Sequence, residues 1–231
     1  MKVVPVALVG ILVFTACTSA RKEEDRFLAE VSQLGKEEIL AKGDALAEKK
    51  KYMEARKYYS FLADSFPNDP VGRRAALRIA DTFFASKDPE SQAEAQVRYK
   101  DFATRYPNDP QRAYALLMLS RTYLQQARGP QRDLTPVREA AESLQQVISL
   151  FPDSAEAEEA RKLLARCRED LATHELLVAR YYAQVGATEG ARNRLRYLLR
   201  QFPETEAAKA GQQLLQELEA KEQVRSVTSR T

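Results

Sequence analysis

His174 and Glu175 open the run His-Glu-Leu-Leu. This is the first half of a motif in which two imidazoles one helical turn apart hold zinc and the glutamate between them activates water. The chain has a single histidine, and Ala179 stands near the place where the second would be needed. The expectation is therefore a structural or surface histidine. Paired carboxylates such as Glu37-Glu38 and Glu158-Glu159 could divide acid and base roles, but opposite charges surround them, as on solvated helix faces. The glycines form neither a phosphate-cradling loop nor a dinucleotide fingerprint, and the serines have no partner base. Tyr58-Tyr59-Phe61-Leu62 reads as packing, and Lys49-Lys50-Lys51 and Arg73-Arg74 as solvated surface. The residues predict no catalytic centre, no metal and no cofactor, hence a protein that is not an enzyme.

The covalent chemistry that the sequence does predict falls on Cys17. Met1-Lys2 carries positive charge and Val3 to Phe14 is apolar, a signal-peptide pattern. That run is too short for a bilayer core, which needs about 20 apolar residues. Phe14-Thr15-Ala16-Cys17 resembles a bacterial lipobox, departing from it at Phe14, where leucine is usual. The reading is a signal peptide over 1–16 and a mature N-terminus at Cys17 carrying an N-acyl chain, such as palmitate, and an S-diacylglycerol. The competing reading is a cleavable signal with an incidental cysteine. Thr18, standing where an aspartate would alter sorting, favours the outer membrane in enteric-type bacteria. Acylation leaves Cys167 without a disulfide partner, and its setting, Leu163-Leu164-Ala165-Arg166-Cys167, predicts a buried inert thiol.

The remaining residues must be judged by the elements that carry them. The 231 residues hold 36 Lys plus Arg against 33 Asp plus Glu, a balance that excludes a strong single-sign field for nucleic acid. A 44% hydrophobic share with only 8 Gly and 10 Pro supports a packed, helix-rich chain. After a tether over 17–35, four segments end alike: Phe66-Pro67-Asn68-Asp69, Tyr106-Pro107-Asn108-Asp109, Phe151-Pro152-Asp153-Ser154 and Phe202-Pro203-Glu204-Thr205. Proline breaks a helix. Asp69 and Asp109 can cap the next helices with Pro70 and Pro110 at the first helical position, and Asp153 with Glu156 has capping-box spacing. Twelve residues before each of these prolines stands an alanine, Ala55, Ala95, Ala140 and Ala191; eight before stand Tyr59, Tyr99, Leu144 and Leu195. Small and large residues on one helical face let two helices approach and fill the gap beside them.

With Gly43, Ala55, Tyr59 and Pro67 at their expected offsets, this pattern is the signature of the tetratricopeptide repeat. The fold expected over 36–225 is all-α, a tetratricopeptide superhelix (α-solenoid) of about four to five helix pairs, followed by a disordered tail over 226–231. A turn-rich insertion lies at Gly129 to Pro136, and Ala155 to Gly186 could hold one long helix or two joined ones. Helical phase places Asp44, Glu48, Phe84, Tyr114 and Arg121 on an inward-facing groove.

The C-terminal half carries Ala179-Arg180-Tyr181-Tyr182, Gly186-Ala187, Ala191-Arg192-Asn193-Arg194, Leu199 and Phe202-Pro203-Glu204-Thr205. Together with the lipobox, the repeats and the Arg132-Asp133 loop, this order resembles the BamD/ComL (YfiO) family of lipoproteins. The resemblance implies a lipid-anchored, periplasmic subunit of the outer-membrane β-barrel assembly machinery. It implies docking of BamA-like POTRA domains through the C-terminal repeats, company with other BAM lipoproteins, and an N-terminal groove for unfolded barrel clients. Carried over residue by residue, Asn193, Arg194, Tyr181, Tyr182, Arg132 and Asp133 become partner-binding positions. An arginine fork suits a partner carboxylate. The alternative is another tetratricopeptide lipoprotein adaptor, a pilus pilotin or a regulator of cell-wall enzymes.

Overall fold

The computed structural model describes residues 21–228. The signal segment expected over 1–16, Cys17 and the end of the expected tail lie outside them. Among the described residues there are ten helices and no strand: α1 over 21–31, α2 Lys36–Glu48, α3 Tyr52–Ser65, α4 Pro70–Ser86, α5 Pro89–Arg105, α6 Arg112–Gln126, α7 Thr135–Leu150, α8 Ala155–Gln184, α9 Thr188–Gln201 and α10 Glu206–Thr228. They form two compact units that divide after Thr82, within α4. The all-helical, sequentially packed arrangement is the one the repeats predict.

The repeat frame is a frame of burial. Ala55, Ala95, Ala140 and Ala191 and their partners Tyr59, Tyr99, Leu144 and Leu195 are all 0% exposed. Each aromatic before a proline is the residue on which a helix stops: Phe66, Tyr106, Phe151 and Phe202 have extended φ between −120° and −135°. The following proline disfavours the helical region there. Each still donates its N–H to the carbonyl four residues back, of Leu62, Phe102, Val147 and Leu198. Each also accepts, through its own carbonyl, from the N–H three residues on, of Asp69, Asp109, Ser154 and Thr205. One turn is thus built four times.

What caps the next helix varies. Asp69 accepts from the Val71 N–H at 2.9 Å, and α4 starts at Pro70 as expected. Pro110 does not begin α6: Asp109 makes the same side-chain bond, to the Gln111 N–H at 2.8 Å, but its carbonyl accepts from Arg112 three residues on, where that of Asp69 accepts from Arg73 four residues on, and the helix opens only at Arg112. Ser154, not Asp153, caps α8, accepting from the Ala157 N–H at 3.1 Å. With α8 starting at Ala155, Asp153 lies one residue too early to reach the third helical N–H. α10 is capped twice, by Thr205 on the Ala208 N–H and by Glu169 of α8 on the N–H groups of Glu206 and Ala207.

In the first unit, part of the expected tether is helical. α1 buries Val31 and sets the Phe27 ring edge-on to Tyr58 and Phe61, while Glu30 binds Lys42 and accepts from the Tyr58 hydroxyl. Tyr59 donates to Asp44 at 2.7 Å, and burial followed by that carboxylate raises the phenol's pKa. In the second unit each helix from α5 to α10 packs on the next, and α10 also packs on α8. The stretch left open as one helix or two is the single 30-residue α8. α10 continues to Thr228, through the first residues of the expected tail. Buried Cys167, on α8, has its thiol pushed up to about 11 by burial, the setting of an unreactive cysteine.

Carboxylates at helix starts give the fold an acid-sensitive component. Asp88 accepts from the Ser91 N–H at 2.8 Å and Asp133 from the Thr135 N–H at 2.9 Å; these bonds hold both carboxyls below their ordinary values, as the Lys36 ammonium does for Asp69. A carboxyl whose folded pKa is depressed contributes stability above its unfolded value and loses it as pH falls through the folded one. Melting temperature is expected to fall as pH drops below about 4, the unfolded aspartate value. The slope should be shallower in Asp88→Asn, as measured by circular dichroism.

Candidate interaction site

α9 buries Ala191, Leu195 and Leu198 against α8 and α10. That spacing turns Asn193 outward and leaves Arg194 at the helix margin, where it reaches α8. Arg194 Nη1 donates to Glu175 Oε2 at 3.1 Å; the arginine side chain is 46% exposed and the glutamate 12%. The carboxylate holds the guanidinium pKa above its ordinary value. A guanidinium carries five donors, so an arginine oriented by one carboxylate and half open to solvent keeps donors for a second. Tyr181 is 60% exposed, with its ring 6.2 Å from that of half-buried Tyr182. Val185, the residue on which α8 ends, is also exposed. Arg192, by contrast, is bound to Glu189 and Glu222 and ties α9 to α10.

The inserted loop before α7 is fixed to the same stretch of α8. His174 Nδ1 lies 2.8 Å from the Pro130 carbonyl oxygen, next in sequence to the glutamate that holds Arg194. His174 is a structural residue, and it joins the loop bearing Arg132 and Asp133 to the helix bearing Tyr181 and Tyr182. Arg132 is exposed, and Asp133 accepts from both the N–H and the hydroxyl of Thr135, which starts α7. His174→Ala is expected to leave the helices intact, lower stability by about 1 kcal/mol, and speed hydrogen exchange over 129–134. Unchanged exchange there would remove the anchor.

The residues expected to line one groove fall in two units. In the first, Asp44 is occupied by the Tyr59 hydroxyl and by Arg78 at 3.3 Å, and Glu48 is exposed. In the second, Phe84 is half-buried and its carbonyl accepts from Gln92, Tyr114 sets its ring edge-on to Tyr99, and Arg121 binds Glu159 on α8. Among the described residues no three His, Cys, Asp or Glu side chains could hold a metal ion. No helix among them is long and apolar enough to cross a membrane. Sequence reasoning missed Glu175, Val185 and the loop-anchoring function of His174. The alternation of Leu176 and Ala179 marks the buried face of α8, but no local signal announces a partner 19 or 44 residues away.

Sequential helices closed by one repeated aromatic-proline turn, with charged and aromatic side chains left outside, make this a helical repeat protein of the tetratricopeptide type. The profile of the family described as YfiO, outer membrane lipoprotein, matches residues 33–230. The outer membrane protein assembly factor BamD of Haemophilus influenzae is 26% identical over 211 residues, spanning 87% of this chain and 77% of that protein. The proteins of the same name from Pasteurella multocida and Vibrio cholerae are 30% and 31% identical over 100 and 93 residues, each match covering 38% of the relative. The chain belongs to the YfiO family of outer membrane lipoproteins.

Proposed function

We propose that the chain is a lipid-anchored scaffold of the outer-membrane β-barrel assembly machinery. It is tethered through acylated Cys17 to the periplasmic face of the outer membrane and docks POTRA domains of a BamA-like partner through α8 and α9. The observation that carries the docking reading is Arg194: exposed, oriented by Glu175, and set among Tyr181, Tyr182 and Asn193. Family membership and the assembly-factor names of the relatives support the pathway. Arginine and tyrosine with one face packed and one face open are the residue types that anchor protein interfaces. The anchored loop with Arg132 and Asp133 extends the candidate surface, other lipoproteins of the machinery are further partners, and the groove residues are candidate contacts for unfolded barrel clients. No catalytic step belongs to this reading.

Depleting the protein from its source bacterium tests it. The expected result is loss of folded β-barrel proteins from the outer membrane, with their unfolded forms accumulating in the periplasm. Unchanged barrel content, with a defect confined to pilus or cell-wall assembly, would transfer the scaffold to another pathway.

A further inference from the structure

A furrow runs along α6 between α5 and α7. Its widest part, about 1000 Å³, lies at the C-terminal end of α6 and is lined by Lys87, Gln92, Gln96, Gln126, Arg128 and Arg132, among others. It continues into a cavity of about 440 Å³ that shares Gln96, Gln126 and Asp133, and then into one of about 360 Å³ that shares Lys100, Tyr123 and Glu139. The far cavity reaches Arg112, so the furrow follows the whole of α6. Fifteen helical residues at 1.5 Å each span about 20 Å, the length of about six residues of extended chain. Its floor uses Arg112, Leu116, Leu119 and Tyr123. Tyr114 and Arg121 sit two positions from floor residues, about 200° around the helix, so the furrow is on the other face of α6 from the groove residues.

Its chemistry is specific. Among the described residues Lys87, Arg128 and Arg132 are exposed and have no ion-pair partner. Beside them Gln92 is 7% exposed; its Nε2 donates to the Phe84 carbonyl at 3.0 Å, which fixes the amide's orientation, and its Oε1 is buried with no donor. A buried acceptor left unpaired costs about 1–3 kcal/mol. A simple anion cannot supply an N–H. A polypeptide supplies main-chain N–H groups and, through acidic side chains, the negative charge that the three cations lack. Gln126 Nε2 donates to Gln96 Oε1 at 2.8 Å; the second N–H and the carbonyl of Gln126, with the amide of exposed Gln125, remain to meet the donor and acceptor of a peptide unit. Asp133, at the rim, keeps Oδ2 to accept from a main-chain N–H, its Oδ1 being taken by Thr135.

We propose that this furrow binds an extended, acidic segment of a partner polypeptide, its carboxylates seated on Lys87, Arg128 and Arg132 and its main chain paired with the glutamine amides. The furrow shares the Arg132-Asp133 loop with the candidate docking surface, while Lys87, Gln92 and Arg128 lie outside that surface.

The test is fluorescence anisotropy with the full chain in detergent micelles and a labelled peptide of about eight residues, Asp-Glu-Asp followed by Ser-Ala-Asn-Ser-Ala. Saturable binding is expected, weakened at least about tenfold by Arg128→Glu or Arg132→Glu and unchanged by Lys162→Glu on α8. Circular dichroism checks that the variants fold. Gln125→Ala tests the amides with no change of charge and should weaken binding severalfold. The proposal is overturned by absence of binding at millimolar protein, by insensitivity to either arginine reversal, or by equal binding of the same peptide methylated at its main-chain nitrogens. Full displacement by millimolar inorganic phosphate, or by anionic phospholipid vesicles that bind the same site more tightly, would reduce the furrow to an anion or lipid site and also overturn it.

Discussion

Gly72→Ala is expected to destabilise the first unit by about 3 kcal/mol, the upper part of the usual range for overpacking, and to lower its melting temperature by several degrees. An added Cβ at this position would lie 2.0 Å from the Phe66 carbonyl oxygen and 3.0 Å from that of Leu62. Both obstacles are backbone, so no side-chain rotation relieves the clash. The Phe66 oxygen also accepts from Asp69 in the turn that closes the first repeat. Either α4 moves off α3 or the turn loses its bond. Gly43 differs: an added Cβ would meet the Tyr59 ring at 2.5 Å, an obstacle that can shift at the expense of the Tyr59 bond to Asp44. Gly190 is the internal control, because its nearest neighbour is Tyr182 at 3.4 Å, and alanine there should gain up to about 1 kcal/mol of helix propensity. Chemical denaturation of the three variants ranks them. A Gly72→Ala protein as stable as the parent would contradict the close approach of α3 and α4.

The second large effect is on binding. Arg194→Glu places two carboxylates together where one ion pair stood, and it is expected to reduce binding of the POTRA-bearing partner by at least about 30-fold, or about 2 kcal/mol, as truncation of a charged interface anchor does. The α8–α9 core of Ala179, Leu195 and Leu198 does not depend on the pair, so helix content should be retained. The reciprocal swap, Glu175→Arg with Arg194→Glu, separates the two roles of the arginine. It restores an internal ion pair but presents the wrong charge outward. Restored stability with binding still lost assigns Arg194 to the interface. Recovery of both would make it only a brace between α8 and α9.

The fold was legible because its determinants are local and repeated. An alanine and a large residue at fixed distances before an aromatic-proline pair can be read from one strand of text, and all eight predicted packing positions are fully buried. Capping was half legible: side-chain type announces a cap, but whether Asp153 or Ser154 serves depends on where the helix begins, which a shift of one residue alters. α1 was hidden by its charge, since only Phe27 and Val31 reveal that one side of a polar segment packs. For the site, outward-facing Asn193 and Arg194 follow from the period of α9. The glutamate that orients Arg194, the histidine that anchors the inserted loop and the cap that Glu169 places on α10 are contacts between helices distant in sequence. Such pairings are fixed by packing and leave no local pattern.

Affinity purification of the full-length protein from its own membranes, followed by mass spectrometry of co-purifying proteins and of the N-terminal peptide, tests the scaffold reading most directly. A POTRA-bearing barrel protein is expected together with an acylated Cys17, and loss of that partner from the Arg194→Glu preparation. Recovery of secretin subunits or cell-wall enzymes without any barrel-assembly protein would contradict it.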